Sequence, residues 1–377
     1  MKRIKKLDYI NYFDTSRRKV KRELYDTRGF LSCVRVPSTD QKIQAEYYFS
    51  PQGNVKIEKY YDINSNNPNV TKKIMLNDLS RTLFFNNDNE LGAFFIEKIY
   101  KNGDIFFSDR NLHTSHVFNL TSTDIPVIAV LHSTHIKDID DLEHSSFKNV
   151  YKGILEHLNR YKANVVSTIQ QQLDVSARIN NSIPVVAIPV GFISVDTQSS
   201  TNNDVAIPPR KLISVARYSP EKQLTQQIDL IHQLKEDFPS IELHMYGFGK
   251  EERHLRELIK ELELEEHVFL NDLTNEYHDS YMNLITSNME GFSLALSHGV
   301  PTISYDIKYG PGELIENGVN GYLVEKNNEE ELYEKVKHLL NHPGIRSDFS
   351  NNCYVTVETY FKQNVIKKWE YFLKSIK

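Results

Sequence analysis

Two cations five residues apart, Arg217 and Lys222, are the side chains in this sequence best placed to do chemistry. They belong to LISVARYSPEKQ (212–223), in which an apolar strand delivers Arg217 at its carboxyl end. Ser219 is expected to cap, and Pro220 to open, the following helix, with Lys222 in its first turn. Two fixed positive charges and the positive end of a helix then converge on one point, which suits a diphosphate. The plainer alternative is a surface Arg and Lys at a strand–helix junction, since short motifs have many false matches. MYGFGKEE (245–252) puts Gly247 and Gly249 where a strand ends and a helix opens, and a tight turn explains that spacing nearly as well as a phosphate loop. In TSNMEGF (286–292), Glu290 follows a predicted strand and precedes Gly291 and Phe292. A carboxylate there, beside exposed backbone amides, could bind sugar hydroxyls or balance developing positive charge, although a helix start explains it too. IAVLHSTH (128–135) sets His132 at a strand end and His135 in the next loop, where single histidines are most often structural. Asp138 and Asp140 do not directly follow an apolar strand, which favours a solvated acidic loop over a metal site.

The elements that must hold these residues read as α/β. Strand-like FLSCVRV, KIQAEYYFS and VKIEKYYD, the last two joined by the turn PQGN, form an antiparallel meander between about 28 and 62. From 83 the texture alternates: a helix near 88–101, DIFFSD, IPVIAVLH, a helix over 147–162, NVVST, a short helix, then PVVAIPVGFI. Apolar strands separated by helices indicate a parallel sheet covered on both faces. SVDTQSSTNNDVAIPP (194–209) is polar, proline-ended and the best linker. A second alternation follows, with helices over 221–237, 250–264, 275–284 and 329–341 and a long helical tail to Lys377. The domains are therefore 1–82 (a β-rich insert), 83–195 (a Rossmann-like unit), 196–209 (linker), 210–360 (a second Rossmann-like unit) and 361–377 (a terminal helix). Two such units place a ligand in the cleft at the carboxyl ends of their strands.

Composition excludes other classes. With 377 residues, 40% hydrophobic, 25% charged and only 15 Gly and 13 Pro, the chain is neither a disordered tail nor a fibre. Its two cysteines, Cys33 and Cys353, give neither a zinc spacing nor a disulfide framework, as in a reducing cytosol. A net charge of −5 argues against a general nucleic-acid coat. No window approaches a membrane span, and MKRIKKLDYINYFD lacks a signal-peptide apolar region, so a cytoplasmic chain is expected, with peripheral docking on a membrane left open. Residues 1–30 are locally basic, with ten Lys or Arg against four acids.

Together these residues resemble the retaining GT-B glycosyltransferases of family 4, and within it the branch of poly(glycerol-phosphate) α-glucosyltransferases and related teichoic acid and adhesin glycosyltransferases. The matching pieces are Arg217 to Lys222 followed by Gln223, the G-x-G at Gly247, EGF at Glu290, SHGVP (297–301), YDIKYGP (305–311) and NGVNGYLV (317–324). The strand-rich start looks like the β-insert of that branch. The resemblance implies metal-free transfer of a hexose from a UDP-sugar with retention. It implies Arg217 and Lys222 on the diphosphate, with Gly247, Gly249, Gly291 and Phe292 around the nucleotide sugar. Glu290 would contact the donor sugar, and His132 would line its pocket from the other domain. Two departures accompany it. The family's second Glu, eight positions after the first, is His298 here, so the ribose contact is expected to be lost. The family's first strand and glycine loop precede the insert, whereas this chain starts inside or just before it, so an incomplete amino-terminal unit is expected.

Glucose is the favoured donor sugar and a poly(glycerol- or ribitol-phosphate) the favoured acceptor, which the basic amino-terminal segment suits. Two alternatives stand beside it: a non-catalytic GT-B partner subunit, and a UDP-GlcNAc-dependent transferase acting on a Ser-rich surface protein. Exposed edges of the β-insert lead to the expectation of a homo-oligomer.

Overall fold

The structure is a computed structural model describing residues 7–67, 69–78, 81–193, 211–272, 277, 279–287 and 294–376. Lys2, Arg3, Lys5, Lys6, the linker 194–209 and Glu290, Gly291 and Phe292 lie outside the described residues.

Short alternating strands joined by tight turns build a seven-stranded antiparallel meander. Its strands are β1 (Tyr9–Phe13), β2 (Lys19–Tyr25), β3 (Leu31–Pro37), β4 (Ile43–Phe49), β5 (Val55–Tyr61), β6 (Thr71–Asp78) and β7 (Arg81–Phe85), in that spatial order. The three strands read from the sequence are the central β3, β4 and β5. Of the other four, β2 and β6 carry runs of charged residues, which sequence periodicity reads as loop, and β1 and β7 are only five residues long. On the sheet these side chains find partners locally or across strands: Lys21 pairs with Glu23, and Arg22 donates a hydrogen bond to Asn11. Helix α1 (Asp88–Ile99) starts at Asn87, whose side chain accepts from the Glu90 amide, and packs Phe94 on Phe85. By its internal contacts the chain divides into Met1–Phe106 with His113–Pro126, and Phe107–Leu112 with Val127–Lys377. The β-rich unit thus takes in α1, beyond the boundary at 82 read from the sequence.

The second unit holds two parallel sheets. In the first the order is β11-β10-β9-β8, with β8 (Phe106–Ser108) followed by α2 (Asn111–Phe118), most of which falls in the β-rich unit, then β9 (Val127–Leu131), α3 (Asn149–Leu155), β10 (Ala163–Val166), α4 (Ile169–Arg178) and β11 (Val185–Ala187). The single helix expected over 147–162 is α3 and a separate turn at Leu158–Arg160, because His157 leaves helical backbone geometry.

The other sheet has the order β14-β13-β12-β15-β16-β17. It runs through β12 (Lys211–Val215), α5 (Leu224–Leu234), β13 (Glu242–Tyr246), α6 (Glu252–Glu261), β14 (Val268–Asn271), β15 (Met282–Ile285), β16 (Thr302–Tyr305), α7 (Pro311–Leu314), β17 (Gly321–Val324) and α8 (Glu329–Asn341). Residues 282–284, expected as helix, are strand: Met282 and Asn283 pair with Leu212 and Ile213, and all three are buried. Tertiary pairing decides so short an apolar run. The expected helical tail is α9 (Pro343–Thr356), a 3-10 turn (Val357–Tyr360) and α10 (Lys362–Ile376). It breaks where Ile193 exchanges backbone hydrogen bonds with Tyr360 and Lys362. Helix α10 then sets Trp369 edge-on to Phe107, tying the second half of this unit to the first. Among the described residues no helix is long and apolar enough to cross a membrane.

Candidate active site

The carboxyl ends of both parallel sheets face one cleft. A cavity of about 230 Å³ there is lined by His132, Ser167 and Thr168 from the first half and by Arg217, Lys222 and Lys308 from the second. It shares Ser167, Lys308, Tyr309 and Tyr360 with a neighbouring cavity of about 1070 Å³. The two sequence-predicted cations and His132 are therefore brought together.

Arg217 sits two residues beyond β12 on a loop that is stitched to the loop after β13. The Ala216 amide donates to Tyr246, the Tyr218 amide to Phe248, and the buried Tyr218 hydroxyl to Met245. A Cβ on Gly247 would lie 1.9 Å from the Ala216 carbonyl oxygen, and one on Gly249 would lie 2.2 Å from that of Tyr218. Gly247-x-Gly249 is thus required for close backbone approach. Neither glycine is among the described residues lining the cavity. Their role in the geometry is to hold the loop that presents Arg217.

Pro220–Lys222 is a single 3-10 turn, and α5 begins only at Leu224 after a left-handed Gln223. The sequence expectation of a Ser219-capped helix starting at Pro220 is corrected: the Ser219 side chain makes no cap hydrogen bond, because the turn is too short to offer an α-helical N-terminus. Buried Thr286, after β15, does the anchoring instead. Its hydroxyl donates to the carbonyls of Lys222 and Gln223 and accepts from Gln227. Sequence reading gave no sign of Thr286 or Gln227, whose roles depend on strands far apart in the chain. The Arg217 guanidinium is exposed and leans on Glu221 at 3.4 Å, an ion pair worth about 0–1 kcal/mol that an incoming phosphate can displace.

The two halves are clasped across the cleft. The Tyr309 hydroxyl and the Lys308 ammonium both donate to Asp174 of α4, at 2.9 and 3.4 Å, and the Gln170 amide donates to Glu313 at 2.8 Å. The motif YDIKYGP that the sequence singled out thus includes Lys308 and Tyr309 of this clasp. His298 lies in the 3-10 turn Ala295–His298, its ring stacked on Tyr277 at 5.0 Å. Asp138 and Asp140 form a turn in which the Asp140 amide donates to Asp138, as expected of a solvated loop.

His135 is fully buried, stacked on Tyr309 at 6.4 Å, and its ring nitrogens have no partner among the described residues. Burial pushes its pKa down to about 4, against the pull of Asp174, so it is neutral at pH 7. The native state then binds fewer protons than the unfolded chain between its ordinary value near 6.5 and 4. Stability is fully present above that window and is lost as pH falls through it, on the order of 3 kcal/mol for the full shift. His135→Phe keeps the stack and removes the titration, so its thermal midpoint should fall less than that of the wild type from pH 7 to pH 4.5. Parallel melting curves for the two proteins would contradict this.

Residues 198–355 match the family model described as Glycosyl transferases group 1. Through this segment the chain is similar to the group 1 glycosyltransferases. It is 24% identical over 384 residues to the poly(glycerol-phosphate) alpha-glucosyltransferase of Bacillus subtilis (strain 168), covering 98% of this chain and 56% of that protein. The chain thus spans little more than half the length of that relative. Among solved structures, Staphylococcus aureus TarM, crystallised as a mutant in complex with fondaparinux, alpha-GlcNAc-glycerol and UDP, superposes with a TM-score of 0.79 at 22% identity. The match covers 97% of this chain and 73% of that one. The pneumococcal O-GlcNAc transferase GtfA, crystallised with UDP and GlcNAc, gives 0.78 at 19% identity, covering 95% and 72%. The fold of the chain is GT-B: two parallel α/β halves facing a cleft, with an antiparallel sheet at the amino terminus.

Proposed function

We propose that this chain transfers a hexose, glucose in the favoured reading, from a UDP-sugar to a poly(glycerol- or ribitol-phosphate) acceptor, retaining the anomeric configuration and needing no metal. The observation that carries the reading is the meeting of Arg217 and Lys222 on one cavity at the mouth of a GT-B cleft. As the sugar–phosphate bond breaks, negative charge grows on the departing diphosphate. Two cations anchored by Thr286 and by the loop at Gly247 stabilise that charge without having to reorganise. Glu290 contacts the donor sugar in this reading, and His132 lines the sugar pocket from the opposite half. The B. subtilis relative supports a polyol-phosphate acceptor, and the local excess of Lys and Arg at the amino terminus fits a polyanion. The likeness to pneumococcal GtfA supports a second reading, UDP-GlcNAc as donor and a protein as acceptor.

The deciding experiment measures UDP release by purified protein from UDP-glucose and UDP-GlcNAc, each with poly(glycerol phosphate), poly(ribitol phosphate) or a Ser-rich peptide. Turnover with UDP-glucose and a polyol phosphate is the expected result. Turnover confined to UDP-GlcNAc and the peptide favours the second reading. UDP binding without turnover on any pair favours a non-catalytic partner subunit.

A further inference from the structure

β8 and β9 are neighbours in the first parallel sheet, and the residues that follow their last strand residues are Asp109 and His132. Their side chains meet: His132 Nε2 lies 2.7 Å from Asp109 Oδ1. Nothing in the spacing of 23 residues announces this pair; only the strand order brings it together.

Hydrogen bonds that are buried or partly buried fix the backbone on both sides of the contact. Next to Asp109, the Ser108 hydroxyl donates to Asn111, and the Asn111 amide donates to the Val130 carbonyl at 2.6 Å, pinning the turn after β8 to the edge of β9. Next to His132, the Ser133 amide donates to the Tyr151 hydroxyl, and Gln171 donates to the Ser133 carbonyl. The two strand ends are therefore held in register independently of any ligand. Of the two side chains only His132 lines the cavity with Arg217 and Lys222.

We propose that Asp109 is a positioning residue for His132, fixing how that ring meets a hydroxyl of the donor sugar in the reading above. A carboxylate can only accept, so Nε2 must carry the proton that lies between them. That fixes the tautomer and the ring plane. It leaves Nδ1, which has no hydrogen-bond partner among the described residues, as an acceptor for a hydroxyl. Asp109 itself touches no substrate; it sets which ring nitrogen accepts and where that nitrogen points, as second-layer carboxylates do for other functional histidines. The inference rests on the UDP-sugar reading of the cleft and deepens it by separating sugar recognition from diphosphate recognition.

The test compares wild type, Asp109→Ala, Asp109→Asn and His132→Ala by calorimetry with UDP and with UDP-glucose and UDP-GlcNAc, and by steady-state UDP release. Asp109→Ala and His132→Ala should each lower kcat/KM for the preferred UDP-sugar by about 10- to 100-fold, the cost of one charge-assisted hydrogen bond. UDP affinity and the thermal midpoint should stay at wild-type values. Asp109→Asn, whose side-chain oxygen still accepts from Nε2, should recover most of the loss. The proposal is overturned if Asp109→Ala keeps wild-type kcat/KM. It is also overturned if that variant loses UDP and UDP-sugar affinity by the same factor, the mark of a merely structural role. Wild-type protein that fails to bind UDP overturns the donor reading and this inference with it.

Discussion

Arg217→Ala should lower kcat/KM for the UDP-sugar by about 10²- to 10³-fold, the range seen when one preorganised group facing a developing charge is removed. The same substitution should leave the thermal midpoint nearly unchanged. The guanidinium is three-quarters exposed and pairs with Glu221 at 3.4 Å, so little native stability depends on it. Arg217→Lys should recover part of the loss, because it restores charge without the two-pronged geometry that suits a phosphate. UDP release at saturating and subsaturating donor, with a melting curve on the same samples, separates the two effects. A variant with wild-type kcat/KM, or one whose activity falls only because it unfolds, would remove the cation from the chemistry.

Gly249→Ala should have the opposite signature, a large loss of stability. The added Cβ would meet Tyr218 backbone atoms at 2.2, 2.8 and 2.9 Å, and none of these is the far end of a flexible side chain. Either the loop after β13 or the loop carrying Arg217 must move, breaking the bonds from Tyr218 to Phe248 and from Glu251 to Tyr218. A loss of about 3 kcal/mol or more is expected, at the high end for point substitutions, together with weakened UDP binding as Arg217 shifts. Denaturant unfolding of the soluble fraction measures the first effect and calorimetry the second. A Gly249→Ala protein with wild-type stability would show that this close approach is not tight in solution.

Much of the C-terminal half was legible from residues alone. The helix expected over 329–341 is α8 residue for residue, because Asn328 caps it and the apolar positions Leu332, Val336, Leu339 and Leu340 repeat at helical spacing. Strands β12 and β13 were visible as runs ending in Arg217 and Gly247. What escaped depends on contacts between distant segments. In the amino-terminal sheet β2 and β6 carry runs of charged residues that blur their alternation, and β1 and β7 are too short to show one. β15 became a strand by pairing with β12 although its sequence also suited a helix. Of the residues lining the cavity, Arg217 and His132 were readable from their places just beyond strand ends, and Lys222 from the turn that follows Arg217. The groups that hold them, Thr286, Gln227, Tyr218 and Asp109, were not, because strand order and loop-to-loop hydrogen bonds are absent from local pattern. The two glycines, for which the sequence offers a tight turn nearly as readily as a binding loop, make room in the backbone for Ala216 and Tyr218.

The most direct measurement is a crystal structure of the chain with uridine diphosphate. The predicted result is a pyrophosphate within hydrogen-bond distance of both Arg217 and Lys222, with the Arg217 guanidinium swung away from Glu221 and His132 facing the space beyond the terminal phosphate. A nucleotide bound elsewhere on the chain, or a pyrophosphate touching neither side chain, would contradict it.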